Sequence, residues 1–489
     1  MKRSVSVFLV LALLLSCLSF TVASADEVET IEVAYLLAMN PAEERDLVTQ
    51  AINDELDKKG LGVHVNLVCI DFASWGTQLN LLLTDGGVDL FNCCFMPSIA
   101  VLADQESIAP LDDLLNTYGQ GILDTVGEYI ECARIGGKIY GTPKIDAFSR
   151  TLLFFMNKEI ADKAGINPDD ITDLESLTET LKVVQAANPD LAMISSGAGG
   201  SYVDLVGMDY LGTEDPLGVL ILDPEKNDTT VVNYYESDLF LELLKYGKKW
   251  NELGFFLKDP LNAQDGSQAY VSNGQAFGTF GAYSSEDVGR SIQEKGNGIK
   301  LYAAQVQPYS WATTSNVLSM TWCVPEKSAH KEAAVKFLNE LYTNPAIANL
   351  VCSGIEGKHY VQTGEGTITF AEGLDAFTTG WPSGLGTFWP NITITYPWEP
   401  DAANVYQEWL ESNNDCQISP ALGFAFDAAN VSDEISACAG VVDQYVNSLL
   451  LGIGDTDTLY QEFLAALDRA GIDAIIAEKQ AQLDAWKAQ

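Results

Sequence analysis

The chain has 489 residues with 68 acidic against 27 basic side chains, a net charge of −41, and a field of that sign repels nucleic acid and anionic membrane surfaces. Its length suits two or three domains of about 150 residues each. With 47% hydrophobic and 10% aromatic residues it can bury a core, which excludes disorder, so the acid belongs to the surface of folded domains.

At the amino terminus, Lys2-Arg3 precede the apolar run Val5 to Leu15, and Ala23-Ser24-Ala25 stands just before Asp26. A basic start, a short apolar core and an A-x-A site describe a secretory signal over residues 1–25. The run is shorter than the roughly 20 residues that span a bilayer. Leu14-Leu15-Ser16-Cys17 is similar to a lipobox, so acylation of Cys17 is the alternative to free secretion. Either route places the protein outside the cytoplasm, at the cell surface or secreted.

Thr30 to Leu37 reads as a first strand, Met39-Asn40 as the loop after it, and Pro41-Ala42-Glu43-Glu44 as a helix start with proline and acid in the first turn. That helix should end at Lys58-Lys59-Gly60, and Val63 to Ile70 is the second strand. Trp75, Leu79, Leu82 and Leu83 recur at helical spacing. Gly86-Gly87 should stop this helix, because glycine supplies the positive φ of a C-cap. Val88 to Cys94 is a short apolar run, the mark of a buried parallel strand. Phe95 lies in the loop at its carboxyl end, where open α/β sheets place ligands.

Further on, Ile135 to Ser149 is dense in glycine and proline, and Thr151 to Met156 is a wholly apolar strand. A helix reaches Ala187. The glycine-rich Ser195 to Tyr202 lacks the Lys-Ser/Thr ending of a phosphate loop and reads as a cleft loop with Tyr202 as a contact. Leu239 to Leu253 is an amphipathic helix. Tyr270 to Tyr283 reads as helix end, glycine and strand. Ile299 to Ala304 and Val317 to Pro325 are strands expected to return to the first lobe, with Tyr309 and Trp311 in the loop between them.

The helix, Gly-Gly, "VDLF" strand and loop of residues 72–97, the crossing "GGKIYGTPK…LLFFMNKEIADKAGI", and the helix at 327–338 together resemble family 1 of the extracellular solute-binding proteins, the receptors of ATP-driven importers. Three further segments, 349–360, 418–427 and 467–486, are similar to a C-terminal module of uncharacterised function carried by one subgroup of these receptors. The resemblance implies an α/β chain with a two-lobed, periplasmic-binding-protein-like (type II) fold, a hinge and a ligand cleft. Lobe one would be 27–146 plus 299–348, and lobe two 147–298 plus 349–489, with the last segment a long amphipathic helix on lobe two. It also implies that Asp146 and Tyr283 face the ligand; turn capping by Asp146 and a rim position for Tyr283 are the plainer alternatives. The expected cleft set is therefore Asn40, Phe95, Asp146, Tyr202, Tyr283 and Trp311.

The resemblance implies capture of a small solute by hinge closure and docking on ABC permease subunits at the membrane, with no reaction catalysed, no cofactor and no nucleic acid, and a monomeric receptor. The sequence contains no G-x-S-x-G, metalloprotease or complete Walker pattern. His64, His330 and His359 are scattered and the eight cysteines after Cys17 mostly sit in apolar strings, so no metal motif is read, though a Cys352 or Cys416–Cys438 bridge stays open. Nine tryptophans and 19 tyrosines suit a sugar or oligosaccharide. A peptide-binding receptor of the same fold and an exported hydrolase acting on carbohydrate are the alternatives. Beyond Lys144 and Arg150 the candidate loops hold no basic group, which favours a neutral or cationic solute.

Overall fold

The computed structural model describes residues 28–37, 42–196, 206–213, 215–364, 366–381, 388–399 and 401–488. Its first lobe begins with β1 (Glu29–Leu37), α1 (Arg45–Lys59), β2 (Val63–Asp71) and α2 (Trp75–Asp85). β1 and β2 pair in parallel from Glu29↔Val63 to Leu37↔Asp71. The apolar stripe of α2 buries Trp75, Leu79 and Leu83, and the helix stops at Gly86, which takes the left-handed φ of 72°. The run after it is mostly irregular, with only Phe91–Asn92 as strand β3; Leu90 still bridges Val33 in parallel. A short helix α3 (Ile99–Asp104) follows, capped by Ser98.

After β4 (Thr142–Pro143) the chain enters β5 (Ser149–Asn157), the central strand of lobe two. There follow α4 (Leu174–Ala187), β6 (Ala192–Ile194), α5 (Asp238–Glu252), β7 (Ala276–Tyr283), β8 (Leu301–Gln305), β9 (Trp311–Ala312), α6 (Thr314–Leu318), β10 (Thr321–Cys323) and α7 (Lys331–Thr343). The chain closes with α8 (Pro345–Ser353), α9 (Val405–Asp415), β11 (Gln417–Ile418), α10 (Ser432–Leu450), α11 (Thr456–Ala470) and α12 (Ile472–Lys487). The lobe-two sheet runs β11-β9-β5-β7-β6, with β8 also on β5. Its pairs are mixed: β7, β8 and β9 are antiparallel to β5, and β6 is parallel to β7. In lobe one, β10 lies between β3 and β4 and is antiparallel to both.

Two separate apolar cores define the lobes. One gathers Val33, Leu67, Phe91, Trp322, Phe337 and Trp389; the other gathers Phe154, Leu181, Trp250, Phe280, Phe463 and Ile475. The chain passes between them after Phe148, after Val306 and before Ala421. These three passages are hydrogen-bonded to one another, because β9 pairs with β5 through Trp311↔Arg150 and with β11 through Trp311↔Gln417. The result is a narrow ribbon between two rigid bodies, the geometry that lets backbone rotation concentrate in a few residues.

The packing divides the chain differently from the sequence expectation in two places. β8, expected in lobe one, pairs with β5 from Leu301↔Asn157 to Gln305↔Leu153 and belongs to lobe two. Residues just after 349, expected in lobe two, pack in lobe one. There Trp381 stacks on Tyr35 at 5.4 Å, Tyr35 on Trp389 at 5.2 Å, and Trp389 on Trp322 at 5.2 Å. Four large rings in one column bury far more apolar surface than any single local preference supplies. The terminal segment is two helices rather than one, because Gly471 between α11 and α12 adopts φ 100°. The described cysteines are free thiols, Cys416 and Cys438 included.

His359 ties this returning segment to the start of α1. Its ring is 1% exposed; Nδ1 accepts from the Ile355 amide at 2.7 Å, so the proton sits on Nε2, 2.9 Å from the Glu44 carboxylate, which Lys358 also engages at 3.0 Å. Burial holds the His359 imidazole below its ordinary value against the opposing pull of Glu44. Protonation of Nδ1 would remove the Ile355 bond, so this contribution to stability is present above the unfolded histidine value of about 6.5 and is lost as pH falls below it. His359→Ala should cost about 2–3 kcal/mol at pH 7.5. Melting curves from pH 5 to 8 should show a smaller gap between wild type and variant at the acid end; a constant gap would refute the assignment.

Candidate functional site

Phe95 is held in place by its neighbours. Asn92 reaches from β3 to donate to the Phe388 carbonyl at 2.8 Å, and its Oδ1 accepts from the Cys94 amide at 2.9 Å. The Trp75 indole donates to the Cys94 carbonyl at 2.8 Å, and the Met96 amide closes a turn on the Cys93 carbonyl at 3.0 Å. Between these anchors Phe95 adopts φ 59° and stays 63% exposed. A bulky residue in left-handed backbone costs free energy of order 1–3 kcal/mol, and such strain collects at binding sites. The ring meets Phe72 edge-on at 5.1 Å and lies 6.5 Å from Phe388. This leaves an apolar platform facing out of lobe one.

That platform forms one wall of a cavity of about 310 Å³ between the lobes. Lobe one contributes Cys93 and Phe95 to Ile99, α6 contributes Ser315 and Leu318 with Ser319 just after it, and lobe two contributes Thr213, Asp215, Leu217, Phe426 and Lys479. The volume falls at the lower end of the range for small-molecule sites. On the far wall Lys479 of α12 is 1% exposed; its Nζ donates to the carbonyls of Gly218 at 2.9 Å and Tyr210 at 3.3 Å and to the Thr213 hydroxyl at 3.2 Å, and sits 5.3 Å from the Phe426 ring. Burial pushes the Lys479 amine down to about 7, with Asp209 and Asp215 opposing. Buried Asp209 accepts from the Leu211 amide at 2.7 Å and from the Ser419 hydroxyl, and burial raises its carboxyl. At the cavity floor a hydrogen bond from Cys323 holds the Cys93 thiol below its ordinary value, whereas burial pushes the Cys94 thiol up to about 12.

A small crevice adjoins this cavity and shares Ser319 with it. Asp146 lies there, ion-paired with the buried Lys144 and accepting from the Ala147 amide at 2.8 Å. Its backbone carbonyl accepts from Asn413 at 2.7 Å, so the aspartate also pins the crossing. Trp311 is not in the interlobe cavity. It is strand rather than loop, 7% exposed, and lines a second cavity of about 450 Å³ within lobe two beside Tyr309, Glu242 and Leu174. Pairing of β9 to β5 decides this, because it turns the indole into lobe two. Tyr283 ends β7, packs its ring edge-on against Phe155 at 5.6 Å and accepts from Gln293; it lines neither cavity, though it lies close enough to Arg150 for their charges to interact. Asn40, Tyr202 and Cys17 lie outside the described residues.

Of the expected set, Phe95 lines the interlobe cavity and Asp146 the adjoining crevice, and the far wall was not anticipated. Phe426 lies inside segment 418–427, but nothing local to it, to Thr213 or to Lys479 announces a cavity. Among the described residues no group of three histidine, cysteine, aspartate or glutamate side chains could hold a metal ion, and no helix is long and apolar enough to cross a membrane.

Comparison with known proteins matches residues 41–348 to the bacterial extracellular solute-binding protein family and residues 420–488 to a domain of unknown function, DUF3502. A carbohydrate ABC transporter substrate-binding protein of Streptococcus pneumoniae is 25% identical over 463 residues, covering 92% of this chain and 89% of that protein. The crystal structure of the N-glycan transport solute-binding protein of Streptococcus pneumoniae superposes with a TM-score of 0.81 at 23% identity, over 93% of this chain and 98% of that one. Its complex with Man1GlcNAc gives 0.74 at 22% identity, over 94% and 100%. An extracellular solute-binding protein of Bifidobacterium longum subsp. infantis gives 0.63 at 18% identity, over 94% and 99%. With two lobes, a three-stranded crossing and a family match over most of its length, this chain belongs to the bacterial extracellular solute-binding proteins.

Proposed function

We propose that the protein is the extracytoplasmic receptor of an ABC importer and that it captures a sugar or oligosaccharide in the interlobe cavity by closure of the lobes about the crossing. The observation that carries this reading is the cavity itself, walled by both lobes, with a strained and exposed aromatic platform at Phe95 on one side. Flat aromatic faces stack on sugar rings, and specificity follows from satisfying buried polar groups at the closed interface. The names of the streptococcal relatives, a carbohydrate and an N-glycan receptor, support the same ligand class. The closed monomer would dock on permease subunits and perform no reaction of its own. Secretion from Asp26, or a tether at Cys17, would keep it outside the membrane.

A thermal-shift screen of saccharides tests the reading. A bound saccharide at 100-fold its dissociation constant should stabilise by about 2.7 kcal/mol and be recovered unchanged. Turnover would replace the receptor with a hydrolase, and a response to peptides alone would replace the ligand class. Phe95→Ala should weaken saccharide binding by up to about tenfold, since a stacking contact on one aromatic ring contributes on the order of 0.5–1.5 kcal/mol. The unliganded melting point should not fall, because the ring is exposed and its backbone strained.

A further inference from the structure

At the base of the cleft, where β5 leaves lobe one, Arg150 has no carboxylate partner among the described residues. Its Nη1 donates to the carbonyls of Ala147 at 2.6 Å and Ser149 at 2.8 Å, and among the described residues Nη2 and Nε have no hydrogen bond. The nearest acid, Asp146, is already engaged by Lys144 and by the Ala147 amide. Arg150, Lys144 and Asp146 line one crevice with Asn316, Ser319 and Met320, so two cations face one anion there. Burial pulls the Arg150 guanidinium downward from its ordinary value, with Asp146 and Tyr283 opposing. A surplus positive charge stands at the hinge of a chain whose net charge is −41.

We propose that Arg150 is a specificity-determining residue of the cleft and receives the carboxylate of an acidic saccharide, a sugar chain bearing a uronic- or sialic-acid-type unit. This rests on the saccharide-receptor reading above and narrows it. Three observations converge on the carboxylate. The unused guanidinium edge offers two N–H donors in the planar fork that matches a carboxylate. A neutral hydroxyl pair could accept those bonds but would leave the surplus charge uncompensated, whereas a carboxylate cancels it. The crevice of about 10 Å³ has room for one oxygen atom and shares the wall residue Ser319 with the larger cavity, so seating both carboxylate oxygens requires it to widen as the lobes move. On this proposal a sugar chain in that cavity presents its acidic end to Arg150 while its rings lie against Phe95. The overall acidity of the surface, which by itself favours neutral or cationic solutes, acts through bulk solvent and is screened within about 10 Å at 0.1 M salt. Contact with Arg150 occurs inside that distance.

Calorimetric titration of the full chain with matched pairs tests this: lactose against sialyllactose, and a glucose trisaccharide against a galacturonic acid trisaccharide. An acidic member should bind at least tenfold tighter than its neutral partner. Arg150→Gln should weaken the acidic ligand about 100-fold and the neutral one less than threefold, since truncating one partner of a buried charge pair is costly. Arg150→Lys should restore part of the acidic affinity, because the charge returns without the fork. Circular dichroism melting of each variant guards against misfolding, and Arg150→Lys remains decisive if the glutamine variant unfolds. Equal affinity within both pairs, or equal losses for acidic and neutral ligands in the variants, would overturn the role of Arg150 and leave the receptor reading intact. Binding of no saccharide would overturn both.

Discussion

Gly247→Ala should destabilise the protein by more than about 3 kcal/mol, the largest effect expected of a glycine-to-alanine change among the described residues. Gly247 sits in α5, where an added Cβ would lie 1.8 Å from the Leu450 carbonyl oxygen at the end of α10. That obstacle is backbone, so no rotamer change relieves it. The contact is reciprocal: at Gly452, φ 64°, a Cβ would lie 2.6 Å from the Lys248 Cα. Asn251 seals the approach by donating to the Gly452 carbonyl at 2.8 Å. Helix α5 belongs to the body of lobe two and α10 to the C-terminal module, so this close approach is where the module docks. Chemical denaturation should show a large fall in midpoint for Gly247→Ala. Gly440→Ala is the control, because Gly440 lies on an exposed part of α10 with nothing within 4 Å of its Cβ position. It should stabilise by about 0.5–1 kcal/mol through helix propensity alone. A Gly247→Ala variant as stable as wild type would mean that the two helices do not meet at this point.

Lys479→Met should cost on the order of 2–3 kcal/mol near neutral pH. The side chain fits, but the carbonyls of Gly218 and Tyr210 and the Thr213 hydroxyl lose their buried donor. The pH dependence identifies the cause. The folded amine is pushed down to about 7, while an unfolded lysine titrates near about 10.4. Between those values the unfolded chain binds the extra proton, so the Lys479 contribution makes stability rise with pH across that window. Wild type should therefore gain stability relative to Lys479→Met as pH goes from 7 to 10. Parallel pH profiles for the two proteins would show that the amine titrates normally in the fold. Because Lys479 also holds Tyr210, Thr213 and Gly218 beside Phe426, the variant should weaken saccharide binding as well, and that loss should persist at temperatures where the protein is fully folded.

Much of the chain is determined within short windows. The stripe Trp75, Leu79 and Leu83 makes α2, and Gly86 ends it, because helix periodicity and a positive φ are properties of a few adjacent residues. The apolar run at Thr151 to Met156 makes a buried strand for the same reason, and Phe95 stands out in the sequence because a loop at a strand end is addressed locally. Partner choice is different. Whether β8 joined lobe one or lobe two, whether residues after 349 returned to Tyr35, and whether Trp311 faced the cleft or the interior of lobe two were decided by packing between segments tens to hundreds of residues apart. Each option satisfies the same local preferences, and only the area buried in the finished core distinguishes them. The far wall of the site follows this rule too. Thr213, Phe426 and Lys479 stand in three distant stretches and meet because the carbonyls of Tyr210 and Gly218 hang on the amine of the last helix. Arg150 was visible in the sequence as one of two cations beside the crossing. That Lys144 is neutralised by Asp146 and Arg150 is not depends on side-chain reach across a folded hinge, which no spacing of residues encodes.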